Sequence, residues 1–291
     1  MNERVWKLAR HTLPIGERTL VMGILNVTPD SFSDGGQFLS IEKALARAEE
    51  MIDEGADILD IGGESTRPGA SAVSVEEELR RVAPVIEHLA KSATKIPISI
   101  DTTKAEVARR ALDAGADVVN DISGLRFAPD LADYVATHKA GLILMHSLGT
   151  QATLHRAPHV ADILVSVAED WRRGIREAEE RGVRRQSIAL DPGIGFGKSF
   201  EQNLELIAKL DALRKDFAEF PVLIGTSRKS FIGRLLNDAP SSERLHGTMA
   251  SIAAAALKGA HVVRVHDVRA AQETLRIIDA IKSVTSAAAL V

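Results

Sequence analysis

From Leu20 to Ile281 the chain alternates without interruption between short β-branched runs and longer stretches with a 3.6-residue apolar period. The strand runs are Leu20 to Val27, Ile58 to Gly62, Pro97 to Thr102, Val118 to Ser123, Leu142 to His146, Ser187 to Asp191, Val222 to Thr226 and Val262 to His266. The helical patterns between and after them cover Ile41 to Glu54, Val75 to Leu89, Lys104 to Ala114, Asp130 to His138, Ala161 to Arg181, Glu201 to Leu213, Arg244 to Leu257 and Ala270 to Ile281. Ser40 and Ser74 stand where N-caps belong, and Glu77 stands at the capping-box position after Ser74. A helix between successive strands forces parallel crossovers. Eight such units fit a closed (β/α)8 barrel, an α/β fold of TIM type; a doubly wound open sheet is the competing arrangement.

An internal echo supports repetition of one unit. EGADILD ends at Asp60, AGADVVN at Asn120 and KGAHVVR at Arg264. Gly55, Gly115 and Gly259 fall where a helix stops and a left-handed residue is needed. We expect three parts: an N-terminal extension over residues 1–19, a hairpin around Pro14-Ile15-Gly16 covering the barrel bottom; a single barrel domain over 20–283; and a tail over 284–291. The chain has no cysteine, which excludes disulfides, thiolate metal sites and a cysteine nucleophile. Lys plus Arg number 36 against 40 Asp plus Glu, so any anion site is local, and no nucleic-acid coat is expected. No apolar run reaches the ~18 residues of a membrane span, and no secretory signal opens the chain. A cytoplasmic protein with no membrane partner is the expectation.

Barrel chemistry is built at the C-terminal ends of the strands. Here those ends carry Asn26, Asp60, Asp101, Asn120-Asp121, Met145-His146, Asp191, the Thr226 to Ser230 run, and Arg264 with His266 and Asp267. Any one Asp or Asn at a strand end commonly caps a helix or closes a turn; eight polar ends exceed that need. Arg67, Arg228, Lys229, Arg264 and His266 can form a cationic zone for phosphate or diphosphate. Asp101, Asn120 and Asp191 are acceptors suited to the N–H edge of a nitrogen heterocycle such as a pterin or guanine. Mg²⁺ on a diphosphate needs few protein oxygens, and Asn26 suffices as a candidate ligand. His155 and His159 lack a third partner at metal-ligand spacing, so no structural zinc is expected.

The segments MGILNVTPDSFSDGG (Met22 to Gly36), DIGGESTRPGA (Asp60 to Ala70), Asp101, Asn120-Asp121, DPGIGFGK (Asp191 to Lys198), GTSRKSFIG (Gly225 to Gly233) and VRVHDV (Val263 to Val268) resemble, in order, the signatures of the dihydropteroate synthase family. The resemblance implies a barrel that condenses 6-hydroxymethyl-7,8-dihydropterin diphosphate with 4-aminobenzoate, with Mg²⁺ as cofactor, sulfonamides as competitors and a homodimer as the usual assembly. Residues matching the pterin positions are Asp101, Asn120, Ile122, Met145, Asp191, Phe196, Lys229 and Arg264. Those matching the aminobenzoate side are Thr66, Arg67, Pro68, Phe196, Lys229 and Ser230. Asn26, Thr66, Arg67, Arg264 and His266 match the diphosphate positions, with Asn26 toward the metal. Asp101, Arg67, Lys229, Arg264 and His266 are the expected catalytic set.

The loop after the fifth strand departs from the family string HMxGxPxxMQ: Ser147, Gln151, Leu154 and His155 replace its Met, Pro, Met and Gln. The strand-end residues are intact. Two other readings compete: a pterin-binding domain passing a methyl group from methyltetrahydrofolate to a corrinoid, and a non-catalytic pterin-binding barrel. The Ser-Thr-Arg-Pro and Ser-Arg-Lys-Ser segments speak against the first, and the complete anion set against the second.

Overall fold

The computed structural model describes residues 4–28, 37–65, 72–92, 95–150, 153–154 and 160–288, without the side chains of 37–40 and 285–288. Eight parallel strands alternate with helices around one barrel. They are β3 (Leu20–Asn26), β4 (Ile58–Gly62), β5 (Ile98–Asp101), β6 (Val118–Asp121), β7 (Gly141–Met145), β8 (Ile188–Asp191), β9 (Leu223–Ile224) and β10 (Val262–Val265). The ladder runs β8-β7-β6-β5-β4-β3-β10-β9, and a parallel bridge between Leu190 and Val222 joins its ends. That bridge decides for the closed barrel over the open sheet. Around it lie α1 (Gln37–Asp53), α2 (Val75–Lys91), α3 (Ala105–Ala114), α4 (Leu131–Thr137), α5 (Ile163–Glu180), α6 (Phe200–Ala208), α7 (Leu210–Leu213), α8 (Ser230–Leu235), α9 (Leu245–Leu257) and α10 (Val268–Ala288). Strands such as β4, buried at every position, read as continuous apolar runs because helices cover their outer face.

The three echoed cassettes do the same local work. Gly55, Gly115 and Gly259 have φ of 97°, 112° and 92°, where a Cβ would be strained. Two residues on, Asp57 accepts the Val21 N–H (2.8 Å), Asp117 the Ile98 N–H (3.1 Å) and His261 Nδ1 the Val222 N–H (2.9 Å). Each side chain satisfies a backbone donor at or near the start of the neighbouring strand. Burial lowers the His261 imidazole to about 3, which leaves it neutral and able to accept.

Residues β1 (Arg4–Lys7) and β2 (Thr12–Ile15) pair antiparallel as a hairpin. Its turn falls at Leu8 to His11, closed by Leu8 N–H to His11 O (2.9 Å), and not at Pro14-Ile15-Gly16. Pro14 and Ile15 belong to β2, and Gly16 (φ 101°) redirects the chain afterwards. Trp6, Leu8 and Ile15 pack into the lower barrel on Leu20, Met22, Ile58, Val118, Ile143, Ala189, Leu223 and Val262. Trp6 is fully buried and donates its indole N–H to Ser187 O (2.9 Å). Trp6→Ala should therefore cost about 3–5 kcal/mol of unfolding free energy. Urea melts would show it, and a loss under about 1 kcal/mol would mean the plug is not part of the core.

Other expectations are corrected in detail. Helix α1 is already under way at Gln37, so Ser40 is inside it and not its cap. Ser74 does cap α2, accepting the Glu77 N–H, but the Glu77 carboxylate turns to Arg80 and Arg81 instead of closing the box. The 201–213 pattern divides at Lys209 into α6 and α7. Helix α10 continues to Ala288, so the expected tail from 284 starts inside it.

Candidate active site

The last residues of the three cassettes meet inside the barrel. Asp60, fully buried, accepts Asn120 Nδ2 (3.1 Å) and Arg264 Nε (2.5 Å) through Oδ2. Arg264 also donates Nη2 to Asp101 Oδ2 (2.6 Å). The meeting follows from register: Arg264 pairs Met22, Asp60 pairs Ile24, and Asp101 pairs Asn120, which sets these side chains at neighbouring levels above the apolar plug. The sequence marks Asp60 as a strand end and does not mark it as part of the site. The available signal was its period-2 relation to Ile58, which turns it inward, where a buried carboxylate requires partners. Its Oδ1 has no hydrogen-bond partner among the described residues.

Asp191 closes the opposite wall. It ends β8 against Met145 of β7, and its Oδ1 accepts the Gly193 N–H (2.7 Å). Gly193 (φ 67°) must be glycine, because a Cβ there would lie 1.9 Å from His146 O. Lys229, just before α8, extends past Gly195, where a Cβ would lie 3.1 Å from Lys229 Cδ. Its ammonium sits 4.1 Å from the centre of the Phe196 ring. Ile122, Met145, Phe196 and Leu154 form one apolar cluster with Phe127 beside it. The expected apolar wall is thus a contiguous surface next to the acceptors.

At the rim, Asn26 ends β3 beside Gly62. A Cβ on Gly62 would lie 3.8 Å from Asn26 Oδ1 and 4.0 Å from Asp101 Oδ2, so the glycine keeps a notch open between two oxygen donors. His266 is set by Ser227, whose Oγ meets its Nδ1 (2.9 Å) and accepts its backbone N–H (3.2 Å). Ser230 opens α8, a six-residue helix absent from the sequence reading because it is too short to show a period. Two expected contributors are used elsewhere. Arg228 pairs with Asp267 (2.6 Å) and does not join a cationic zone with Lys229. Asp121 closes a turn by accepting the Ser123 and Leu125 N–H groups. Thr66, Arg67, Pro68, His155 and His159 lie outside the described residues.

The electrostatics are those of a crowded, partly dry mouth. Burial pushes the Asp101 carboxyl up to about 7, against the pull of Arg264. It pushes Asp191 up to about 6, against the Gly193 N–H and Lys229. Burial lowers Lys229 to about 8. Burial alone would also lower Arg264, but Asp60 and Asp101 reverse this and hold the guanidinium above its ordinary value. Three carboxylates face two cations, so the interior has spare acceptor capacity for a ring rich in N–H donors.

Fold and mouth together define a TIM-barrel enzyme built to take a flat, amine-bearing heterocycle. Residues 22–266 match the pterin binding enzyme family. The dihydropteroate synthase of Synechocystis sp. is 49% identical over 266 residues, covering 91% of each chain. The structure of the Xanthomonas albilineans dihydropteroate synthase with 4-aminobenzoic acid superposes with a TM-score of 0.89 at 43% identity, over 97% of this chain and 99% of that one. That of the Burkholderia cenocepacia enzyme complexed with 7,8-dihydropteroate gives 0.87 at 40% identity, over 98% of both. The chain belongs to the pterin-binding enzymes and, within them, to the dihydropteroate synthases, transferases of folate synthesis. The corrinoid methyltransferase reading is thereby set aside.

Proposed function

We propose that this chain joins 6-hydroxymethyl-7,8-dihydropterin diphosphate to 4-aminobenzoate, releasing 7,8-dihydropteroate and diphosphate, with the described mouth as its site. The observation that carries this reading is the convergence of Asp101, Asn120, Asp191, Lys229 and Arg264 on one mouth beside the Ile122–Met145–Phe196 wall. The three acceptors take the pterin N–H edge, Lys229 donates to its carbonyl, and Arg264 lies over the ring. His266, Asn26, Arg264, Thr66 and Arg67 serve the diphosphate. Thr66, Arg67, Pro68, Phe196, Lys229 and Ser230 serve 4-aminobenzoate.

Mg²⁺ fits what is present. No three His, Cys, Asp or Glu side chains cluster as a metal cage among the described residues. Asn26 Oδ1, kept open at the rim by Gly62, instead offers a hard oxygen to an ion held mainly by diphosphate. When bound, Mg²⁺ would neutralise charge on the departing diphosphate. The chain's own part is electrostatic. As the C–O bond breaks, the pterin methylene carbon becomes cationic and delocalises into the ring, where the Asp101 and Asp191 carboxylates stabilise it. The aniline nitrogen then forms the C–N bond and loses its proton to water or diphosphate. It is a neutral, weakly basic nucleophile, so positioning, not a strong general base, carries the rate.

The partners are small molecules, with a cytoplasmic location and no nucleic acid; no described helix is long and apolar enough to cross a membrane. Homodimerisation is supported by Ile277, Ile281 and Val284, exposed at helical spacing on α10. Purified protein given Mg²⁺, the pterin diphosphate and 4-aminobenzoate should release diphosphate and form dihydropteroate, and a sulfonamide should compete with 4-aminobenzoate. Pterin binding without turnover would establish the non-catalytic barrel instead.

A further inference from the structure

Lys198 is a buried lysine that the mechanism above does not use. It is 8% exposed, and its ammonium donates to two carbonyls, His146 O (3.0 Å) and Phe196 O (3.1 Å). Among the described residues no carboxylate forms an ion pair with it. The two carbonyls belong to different loops, one leaving β7 and the other leaving β8. Those loops are pressed together: a Cβ on Gly193 would lie 3.1 Å from Lys198 Nζ, and one on Gly197 (φ 73°) would lie 2.7 Å from Leu148 Cβ. The ammonium fills the junction and fixes the carbonyl of the residue whose ring lies against Lys229.

Hydrogen bonding alone does not explain a lysine here. A neutral amide also donates, without the cost of burying a charge. The charge has a neighbour that benefits from it: Lys198, Lys229 and Arg264 all favour the ionised form of Asp191. Burial lowers the Lys198 amine well below its ordinary value; Asp191 and Asp170 oppose this, Lys229 and Arg126 add to it, and the two carbonyls on its Nζ favour the protonated form. His146, which it touches through the backbone, is held neutral, its imidazole lowered by burial to about 2.

We infer that Lys198 is a positioning residue at the junction of the two substrates: it locks the His146 and Phe196 carbonyls so that the Phe196 ring stays against Lys229, and it holds a positive charge behind Asp191. This rests on the proposed reaction.

The test separates the two roles with Lys198→Gln, which keeps a donor and removes the charge, Lys198→Met, which removes both, and Lys198→Arg, which restores the charge. Calorimetric titration with the pterin diphosphate from pH 5 to 8 reads the acid limb of binding. Loss of the nearby charge should raise that limb by about 0.5–1 pH unit in the Gln and Met variants, and Arg should return it. The KM for 4-aminobenzoate should rise about tenfold in Lys198→Met and at most about twofold in Lys198→Gln, whose amide still holds a carbonyl. An acid limb unmoved in all variants, or a KM unchanged in Lys198→Met, overturns the inference. So does a uniform loss of both parameters that tracks falling Tm, since that is what a purely structural role gives. Wild-type protein that binds pterin without turning over would fail the proposed reaction, while the pH arm would still decide the charge behind Asp191.

Discussion

Arg264→Ala should lower the unfolding free energy by about 3–5 kcal/mol at pH 8 and abolish turnover. The guanidinium is the shared partner of Asp60 and Asp101, and Asp60 is fully buried with Asn120 as its other neighbour. Its removal leaves Asp60 and Asp101 without their hydrogen-bonded counter-charge, with Lys229 acting on Asp101 only through space. The sign of the pH dependence follows from Asp101. Its folded value is already raised to about 7 by burial, well above the unfolded value near 3.9, and loss of Arg264 raises it further. Over that interval the native state binds more protons than the unfolded chain, so stability falls as pH rises. The deficit of the variant should therefore shrink toward pH 4 and grow toward pH 8. Urea melts at both ends check this. Arg264→Lys should recover part of the loss, because one ammonium cannot span both carboxylates. A deficit of equal size at both pH values would show that packing, not charge, is what Arg264 supplies.

Why the fold was legible is clear from the strands. Buried parallel strands must be apolar runs bounded by helix-stop glycines, and both signals are local. What failed depended on distant contacts. The β9 ladder is two residues long, and its contact with β8 is a lone bridge between Val222 and Leu190, which no local pattern announces. Turn chemistry points to a hairpin turn at Pro14-Ile15-Gly16, yet the plug needs Ile15 pointing into the barrel, so strand β2 runs through Ile15. Helix α10 outruns the apolar period that ends at Ile281 and continues to Ala288 through a segment that includes alanines, strong helix formers.

The site was legible as a set of strand ends but not as a network. Strand-end Asp121 and Asp101 look alike in sequence; one closes a turn with the Ser123 and Leu125 N–H groups, and the other faces Arg264. The difference is side-chain parity across the sheet, fixed by register. Arg228 and Lys229 are adjacent and both cationic, yet in the turn before α8 Arg228 takes a left-handed backbone (φ 58°) and turns to Asp267, while Lys229 reaches the Phe196 ring. Asp60 and Arg264 are 204 residues apart, and their pairing is a product of barrel closure.

Asp191→Asn should weaken pterin binding by about 1.5–3 kcal/mol, roughly 10- to 150-fold, while making the apo protein more stable at neutral pH. Asparagine keeps the acceptor for the Gly193 N–H, so the β8 turn survives the change. It removes the charge that the proposed pterin contact uses. The stability effect has the opposite sign because burial raises the Asp191 carboxyl to about 6, above the ~3.9 of an unfolded aspartate. Keeping it ionised at pH 7 costs the native state up to about 2–3 kcal/mol, a cost that vanishes below the unfolded value. Thermal unfolding should thus separate variant from wild type at pH 8 and not at pH 4. In the same series, wild-type pterin affinity should fall as pH drops through about 7 and 6, where Asp101 and Asp191 take up protons, and the variant should lose the lower step and keep the upper one. Both effects share one cause: the site retains an ion the fold would rather neutralise, because the substrate's N–H edge repays it. Unchanged affinity in Asp191→Asn would remove Asp191 from the pterin contacts, and a variant less stable at pH 8 would show that the charge supports the fold instead of taxing it.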